Sequence, residues 1–375
     1  KIYKIMPTDL KWSNYDFTKI PFENIVSLGQ RNLLYRDLFT VSWLLGRYCN
    51  YRCSYCWPYA RSNTKDHRPT KLCLHTIDEI KKQARDNGFN SFHFSLSGGE
   101  PTFHPGYLDI LKYLADDVPN TNYTSIHMTS NCSRPIEWFK QYVEYAKPFH
   151  RASITASLHT EHVVTKEQMQ EFADKLILCQ EHDVQVTINQ VMVPDWFDRD
   201  WENALFFHAQ GINVTLKPQS DPTASRVVDG YTDEQLKKLW NGMPQRAYTE
   251  SKRKWQDRPK PSYSINPGIM GENDATVPWH MQVELTDNNG KKWYIDQAER
   301  FNAFNFNNFE KWNCNAGYQG IIIREPDGSI KRSYSCHDIP IGNIETGFKL
   351  FKKPVPCITK SCVSSADSKI PKSKL

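Results

Sequence analysis

Short β-rich runs alternate with amphipathic segments from residue 40 to about residue 220. This alternation limits the possible folds most strongly, because strands separated by helices pair in parallel through right-handed crossovers. The predicted strands are residues 39–46, 92–97, 124–130, 151–158, 185–193 and 212–217. The predicted helices are residues 75–86, 107–116, 136–146, 166–181 and 198–209. Six such units predict an α/β fold in the form of a partial (β/α)6 barrel, whose active site would lie at the carboxyl ends of the strands.

Three cysteines, Cys49, Cys53 and Cys56, stand in one loop after the first predicted strand. Three thiolates so close together can hold three corners of a cubane iron–sulfur cluster and leave the fourth iron open to a substrate. Closely spaced cysteines also bind zinc, so a zinc knuckle is the alternative interpretation.

A glycine-rich turn, Gly98-Gly99-Glu100-Pro101, follows the second predicted strand. Glycines let the backbone approach a ligand closely, and the glutamate offers an anionic acceptor, although the sequence alone also fits a tight turn. The Cys-x3-Cys-x2-Cys loop, with Tyr55 before its last cysteine, resembles the radical S-adenosylmethionine (SAM) superfamily when it is combined with this turn.

The resemblance implies a [4Fe–4S] cluster on the three cysteines, with SAM chelating the open iron. One electron would cleave SAM to methionine and a 5′-deoxyadenosyl radical, which would abstract hydrogen from a substrate C–H bond. It assigns Gly98, Gly99 and Glu100 to the methionine amine and the backbone near Tyr55 to adenine. Further SAM-binding candidates, which could instead be satisfied polar groups, are the strand-end residues Ser130, Asn131, Ser157, His159, Asn189 and Lys217.

Four more cysteines lie near the end of the chain: Cys314, Cys336, Cys357 and Cys362. Their order around a predicted hairpin resembles the SPASM/twitch extension of radical SAM enzymes, which implies a small Cys-rich β-hairpin domain with an auxiliary [4Fe–4S] cluster. The interval from Gly328 to Cys336 is longer than usual, and the Cys-x2-Cys run of the two-cluster form is missing. A four-thiolate zinc ribbon is the alternative. His337 is a possible substitute ligand.

Cys132 follows the third predicted strand, where its S–H could return a hydrogen atom to a substrate radical. A free cysteine is more often a small buried hydrophobic residue, which is the alternative for Cys132. Cys73 and Cys179 fall in helical patterns and are interpreted as packing residues.

The predicted segments are an N-terminal extension (1–38), the radical SAM partial barrel (39–220), a bridging insertion with a β-hairpin (221–312) and the auxiliary cluster domain (313–375). The extension is too short for a separate peptide-recognition domain, which favours a small-molecule substrate. An auxiliary cluster that accepts an electron would make the reaction an oxidation. A ribosomal peptide maturase, forming cross-links or epimers, is the alternative.

Composition restricts the remaining classes. The formal net charge is +5, and the basic residues form no continuous stripe, which argues against nucleic-acid binding. No apolar run is long enough to span a membrane and no signal peptide is recognisable, so the ten cysteines indicate a reducing, cytoplasmic enzyme. A reductant such as flavodoxin or ferredoxin is the expected partner. A non-catalytic zinc-binding module is the alternative from another class.

Overall fold

The computed structural model describes residues 17–31, 37–57, 61–65, 67–222, 227–243, 283–295, 301, 304–324, 327–336, 340–362, 364 and 366–375. Parts of the predicted extension (1–16) and bridging insertion (244–282), together with His337, lie outside these residues. Within them, no helix is long and apolar enough to cross a lipid bilayer.

A parallel sheet forms the centre of the fold, as the strand–helix alternation predicts. Its six parallel strands pair in chain order and are β2 (Phe39–Leu44), β3 (Ser91–Ser97), β4 (Tyr123–Ser130), β5 (Arg151–Leu158), β6 (Val184–Met192) and β7 (Asn213–Pro218). The structure therefore confirms the predicted α/β fold with a parallel sheet.

The helices that follow these strands cover one face of the sheet. They are α1 (Thr70–Asp86), α2 (Tyr107–Asp116), α3 (Ile136–Ala146), α4 (Lys166–Glu181), α5 (Phe197–Ala209) and α6 (Asp233–Asn241). Helix α1 begins five residues earlier than predicted, directly after Pro69, because its buried positions Cys73, Ile77 and Ile80 already keep helical spacing. Helix α6 is not among the predicted helices, although the capping box of Thr232 and Gln235 marks its start.

The two faces of the parallel sheet differ sharply in composition. The covered face is apolar, with residues such as Val41, Phe94 and Ile154 in the main hydrophobic core. Successive side chains in a strand point to opposite faces, and parallel sheets are usually apolar on both. Here the second face, called the polar face below, carries Thr40, Ser42, His93, Ser95, Ser97, Ser125, His127, Thr129, Arg151, Ser153, Thr155, Ser157, Gln185, Thr187, Asn189, Asn213, Thr215 and Lys217.

Four C-terminal strands extend the same sheet beyond β2. Strand β11 (Gly320–Ile323) runs parallel to β2, and β12 (Ser329–Lys331), β13 (Pro340–Asn343) and β14 (Gly347–Phe348) follow in antiparallel order. The C-terminal region is thereby joined to the first strand of the parallel sheet.

A second, antiparallel sheet combines distant parts of the chain. Its order is β15 (Val355–Pro356), β10 (Asn313–Cys314), β16 (Lys372–Ser373), β1 (Ile25–Gln30), β8 (Val283–Asp287) and β9 (Lys292–Ile295). Strands β8 and β9 pair as an antiparallel hairpin. Three of the segments separated by sequence analysis thus contribute to one sheet, so boundaries drawn along the chain do not follow the sheets.

Candidate active site

The loop with the first three cysteines starts directly after β2 and lies against the turn after β3. The N–H of Gly99 donates to the carbonyl of Gly46 (2.9 Å), and the N–H of Glu100 donates to the carbonyl of Tyr48 (2.7 Å). The loop is therefore fixed at the carboxyl edge of the parallel sheet, where such folds place their active sites.

The Gly-Gly pair is required by this backbone contact. A Cβ on Gly98 would lie 2.3 Å from the carbonyl oxygen of Gly46, and one on Gly99 would lie 2.3 Å from that of Arg47. Gly98 also has a φ of +145°, which side-chain-bearing residues rarely adopt. The close approach expected for a ligand is already made here by the cysteine loop.

The Glu100 carboxylate is buried among protein donors. Its Oε1 accepts hydrogen bonds from the Thr102 N–H (3.2 Å), the Thr102 hydroxyl (2.7 Å) and the Ser130 hydroxyl (2.8 Å), while Oε2 accepts from the Asn131 N–H (2.6 Å). Burial raises its pKa, and these hydrogen bonds oppose the shift. Glu100 thereby ties the turn after β3 to the end of β4, and these contacts take up most of its acceptor sites.

Ser130 and Asn131, predicted to bind SAM, hold the site together from the end of β4. The Asn131 side-chain amide donates to the Asn50 side-chain oxygen (2.9 Å) and lies 3.9 Å from the Cys49 sulfur. The Asn50 side-chain amide in turn donates to the Ser133 hydroxyl (3.0 Å). The cysteine loop is thus bound to β4 as well as to β3.

The three thiols of the loop form a donor set that fits a cubane cluster. Cys53 is buried, while Cys49 and Cys56 are half-buried. Burial raises the pKa of all three thiols, that of Cys53 to about 12, and the Cys49 and Cys56 charges add to the shift at Cys53. The sulfurs therefore lie near one another, and a bound cationic metal would reverse this mutual repulsion. The Tyr51 N–H donates to the Cys49 sulfur (3.4 Å), which is a typical protein contact of a thiolate ligand.

The loop after β5 contacts the other side of the cysteine loop. The Tyr55 hydroxyl lies 3.0 Å from Nδ1 of His159, a predicted SAM-binding residue. The Ser54 N–H donates to Glu161 Oε2 (2.7 Å), and the Arg52 N–H donates to His162 Nε2 (3.1 Å). Sequence analysis missed Glu161 and His162, whose only signal was their place, like that of His159, after a predicted strand.

The remaining predicted SAM-binding residues lie along the polar face. Ser157 on β5 is the direct cross-strand neighbour of Asn189 on β6, and Lys217 stands near the end of β7 opposite Val191. The structure therefore brings Ser157 and Asn189 together, with Lys217 on the neighbouring strand.

Cys132 follows the carboxyl end of β4 and is buried there. Its side chain is 1% exposed and belongs to the main hydrophobic core on the helix-covered side. The Cys132 thiol contacts the Ser130 carbonyl (3.7 Å), and the Lys175 ammonium of α4 donates to the Cys132 carbonyl (3.3 Å). Burial also raises the thiol pKa well above its ordinary value. These contacts favour the alternative of a buried packing residue, and the hydrogen-donor role of Cys132 stays a prediction.

The four C-terminal cysteines are all buried and influence one another. A hydrogen bond from Cys357 lowers the pKa of the Cys314 thiol against the effect of burial, and the Lys372 and Arg332 charges lower it further. Cys336 and Cys362 both feel the charge of Cys314. No disulfide joins any of the chain's ten cysteines, all of which are among the described residues. The four thiols therefore lie close enough for the charge of Cys314 to act on the other three.

The C-terminal cysteine group borders the polar face. Burial raises the pKa of Tyr334, two residues before Cys336, and the nearby side chains of Ser42 and Ser97 on that face partly oppose the shift. The Tyr334 N–H donates to Asp367 (3.1 Å). The segment that leads to Cys336 therefore approaches the polar face at Ser42 and Ser97.

One comparison with known proteins, the family model, agrees with this geometry. Residues 43–208 match the family model of the Radical SAM superfamily, which confirms the predicted radical SAM domain in this part of the chain. A search of curated proteins gave no match.

Solved structures give a distant similarity. A structure of native anSMEcpe with bound AdoMet has a TM-score of 0.48 and 14% sequence identity over 82% of this chain and 78% of that chain. Native anSMEcpe with bound AdoMet and Cp18Cys peptide has a TM-score of 0.49 and 12% identity over the same shares.

Proposed function

We propose that this protein is a radical SAM enzyme that binds a [4Fe–4S] cluster through Cys49, Cys53 and Cys56 within a partial barrel. One observation carries the proposal: the three thiols stand on one loop at the carboxyl edge of a parallel sheet, inside the segment that matches the Radical SAM superfamily. Three thiols are the number that leaves one iron of a cubane cluster open to a ligand.

When bound, the cluster and SAM would supply a 5′-deoxyadenosyl radical that abstracts hydrogen from an unactivated C–H bond. The chain itself binds and orients the cluster, SAM and the substrate, and it excludes water. Glu100, Ser130 and Asn131 hold the cysteine loop against the strand ends. The backbone of Gly98 and Gly99 and the region of Tyr55 would bind the methionine and adenine parts of SAM, and Ser157, His159, Asn189 and Lys217 would complete its site.

The substrate we propose is a small, polar and uncharged molecule, such as a sugar or cyclitol. The polar face supports this class, because hydroxyl and amide side chains predominate along its strands. The guanidinium of Arg151 is already bound to Gln185 (2.7 Å). Burial lowers the pKa of His93 to about 3 and that of His127 to about 4, so both imidazoles are neutral near pH 7. A face of this kind offers hydrogen bonds to hydroxyl groups more than charge to an ionised ligand.

We further propose that the overall reaction is an oxidation. Cys314, Cys336, Cys357 and Cys362 would hold an auxiliary [4Fe–4S] cluster, which would supply an electron acceptor beside the polar face. The proximity of Tyr334 to Ser42 and Ser97 supports this placement. A flavodoxin or ferredoxin would supply the electron for SAM, and ten cysteines without a disulfide among the described residues fit a reducing compartment such as the cytoplasm.

Anaerobic reconstitution with iron and sulfide tests the proposal. We expect about eight irons per chain, which corresponds to two cubane clusters, and 5′-deoxyadenosine after addition of dithionite and SAM. A Cys49/Cys53/Cys56→Ala triple variant should lose the 5′-deoxyadenosine and about half of the iron. The matched control is Cys73→Ala/Cys179→Ala, which removes two buried thiols outside both groups. Bound zinc without iron would overturn the proposal in favour of a non-catalytic zinc module.

The substrate class needs a separate assay. Sugars and cyclitols carrying deuterium on carbon should transfer it to 5′-deoxyadenosine, which mass spectrometry detects. Transfer from deuterated peptides, without transfer from the sugars, would instead support the peptide maturase.

A further inference from the structure

Side chains of the loop after β5 form hydrogen bonds with the cysteine loop on both sides of Cys53. The residue before Cys53 donates its N–H to His162 Nε2 (3.1 Å), and the residue after it donates its N–H to Glu161 Oε2 (2.7 Å). The Ser54 hydroxyl also donates to Glu161 Oε1. Because side chains supply these acceptors, the backbone position of Cys53 depends on the identity of residues 161 and 162.

Glu161 and His162 are themselves held in place by local structure. The N–H groups of His162 and Val163 both donate to the His159 carbonyl at 2.9 Å, which forms a tight turn. The His162 ring also stacks on Tyr51, with ring centroids 4.1 Å apart and planes 5° apart. The next residues enter α4 through the capping box of Thr165 and Gln168. The contacts of Glu161 and His162 therefore connect a segment ordered by this turn and by α4 to the backbone of the cysteine loop.

Glu161 adds a charge to this arrangement. One ligand atom each of Cys53, Glu161 and His162 lie within 4.8 Å of one another. A carboxylate so close to a sulfur ligand opposes the addition of an electron to a metal centre bound there, whereas the His162 side chain adds no negative charge.

We propose that Glu161 and His162 are positioning residues for the iron–sulfur site. Both fix the backbone around Cys53, and Glu161 alone also lowers the reduction potential of the cluster bound there. The inference rests on the proposed function, because it requires a cluster on the cysteine loop.

The test compares Glu161→Gln, His162→Ala and Ser54→Ala in the full reconstituted chain. The rate of iron release to a ferrous chelator measures how firmly the loop holds its cluster. The midpoint potential is measured by titration of the electron paramagnetic resonance signal that changes when SAM is added, since only a cluster with an open iron responds to SAM. Glu181→Gln and His75→Ala, both at exposed positions, are the matched controls.

We expect the three test variants to release iron three- to tenfold faster than wild type and both controls to match it. Only Glu161→Gln should raise the midpoint potential. We expect a rise of up to about 59 mV, which for one electron corresponds to a tenfold larger equilibrium constant for reduction. Ser54→Ala keeps the Glu161 carboxylate. If Glu161→Gln fails to fold, the rate of iron release from Ser54→Ala still shows whether the contacts with Glu161 hold the loop.

Unchanged iron release in Glu161→Gln, His162→Ala and Ser54→Ala would overturn the inference while leaving the proposed function intact. An equal rise of potential in His162→Ala and Glu161→Gln would refute the role of the Glu161 charge. A wild-type protein without a SAM-responsive signal would instead overturn the proposed function, and this inference with it.

Discussion

The two groups of cysteines are assembled in opposite ways. Cys49, Cys53 and Cys56 come from one loop of eight residues, which neighbouring turns hold from outside. The C-terminal group collects its thiols from separate segments: Cys314 lies on β10, Cys336 follows β12, and Cys357 and Cys362 follow β15. The first group can therefore be recognised locally, while the second exists only after the antiparallel sheet has formed.

The electrostatic surroundings of the groups also differ. Near the first group, the Glu161 charge adds to the effect of burial in raising the pKa of Cys53. Near the second, the charges of Lys372 and Arg332, both 4% exposed, lower the pKa of Cys314. Buried cations thus favour the thiolate of Cys314 before any metal is bound, although the pKa of each of the other three C-terminal thiols is raised. The first group would need a bound metal to overcome the repulsion between its thiolates.

The two groups of cysteines also differ in their exposure to solvent. Cys49 and Cys56 are half-buried, but the four C-terminal thiols are only 2–4% exposed. An open site can admit a ligand to its metal, and a closed one serves structure or electron transfer. This difference supports the proposal that SAM binds at the first group and that the second group has an auxiliary role.

The largest expected effect separates the groups by function. Cys53→Ala should reduce 5′-deoxyadenosine formation to the assay background, because a cubane cluster cannot be held by two thiols. Cys357→Ala should lose about four irons, the content of one cubane cluster, and still cleave SAM. Iron content and 5′-deoxyadenosine are measured on the same reconstituted samples. Equal loss of SAM cleavage in both variants would show that the groups are not independent.

Gly99→Ala should damage the first group alone. Its Cβ would lie 2.3 Å from the Arg47 carbonyl oxygen and 2.4 Å from that of Tyr48, so the cysteine loop must move. We expect a loss of about 2–3 kcal/mol in the free energy of unfolding, measured with urea, as for other overpacked sites. The first cluster should be lost and the C-terminal iron kept.

The matched control for Gly99→Ala is Gly29→Ala on β1. Its nearest neighbouring atom would be 3.8 Å away, so stability should change by less than about 0.5 kcal/mol. Similar urea midpoints for the two variants would contradict the backbone contact between the cysteine loop and the turn after β3.

Local patterns in the sequence suffice for the parallel sheet and for the first cysteine group. The predicted strands match β2 to β7 because each has an apolar period of two between helical segments. The three cysteines are close in sequence, so their spacing alone indicates the chemistry.

Contacts between distant residues could not be read from such patterns. The motif identifies Glu100 as an acceptor, but its donors Ser130 and Asn131 stand thirty residues away on another turn. The pairing of β1 with β8 and β16 joins residues hundreds of positions apart. The polar face, too, appears only when the register of six strands aligns their hydroxyl and imidazole side chains.

Lys372→Met should affect the second group alone, and less severely. The Lys372 ammonium donates to the carbonyls of Asp367 (2.6 Å) and Ile370 (2.9 Å), so its loss leaves buried acceptors unpaired at a cost of about 1–3 kcal/mol. The C-terminal thiols would also lose a stabilising cation, and iron uptake there should slow.

Melting temperature and iron content measure the effect of Lys372→Met, with the exposed Lys352→Met as the control. Loss of SAM cleavage together with the C-terminal iron would show that Lys372 also supports the first group.

The smallest expected effect concerns the polar face. Burial lowers the pKa of His93 to about 3 and that of His127 to about 4, below the ordinary value of 6.5. Between pH 6.5 and 4 the unfolded chain therefore binds protons that the folded chain does not, so stability falls as the pH falls. Each histidine contributes at most about 1.4 kcal/mol per pH unit.

A His93→Gln/His127→Gln double variant should lose part of this dependence. Urea midpoints at pH 7, 6 and 5 would give a shallower slope than in wild type, while the exposed His75→Gln should keep the wild-type slope. Cys314, whose lowered pKa gives stability the same sign of pH dependence, is present in both proteins, so the difference isolates the histidines. An unchanged slope would mean that both imidazoles titrate normally, and the polar face would then present cations to a substrate below pH 6.5.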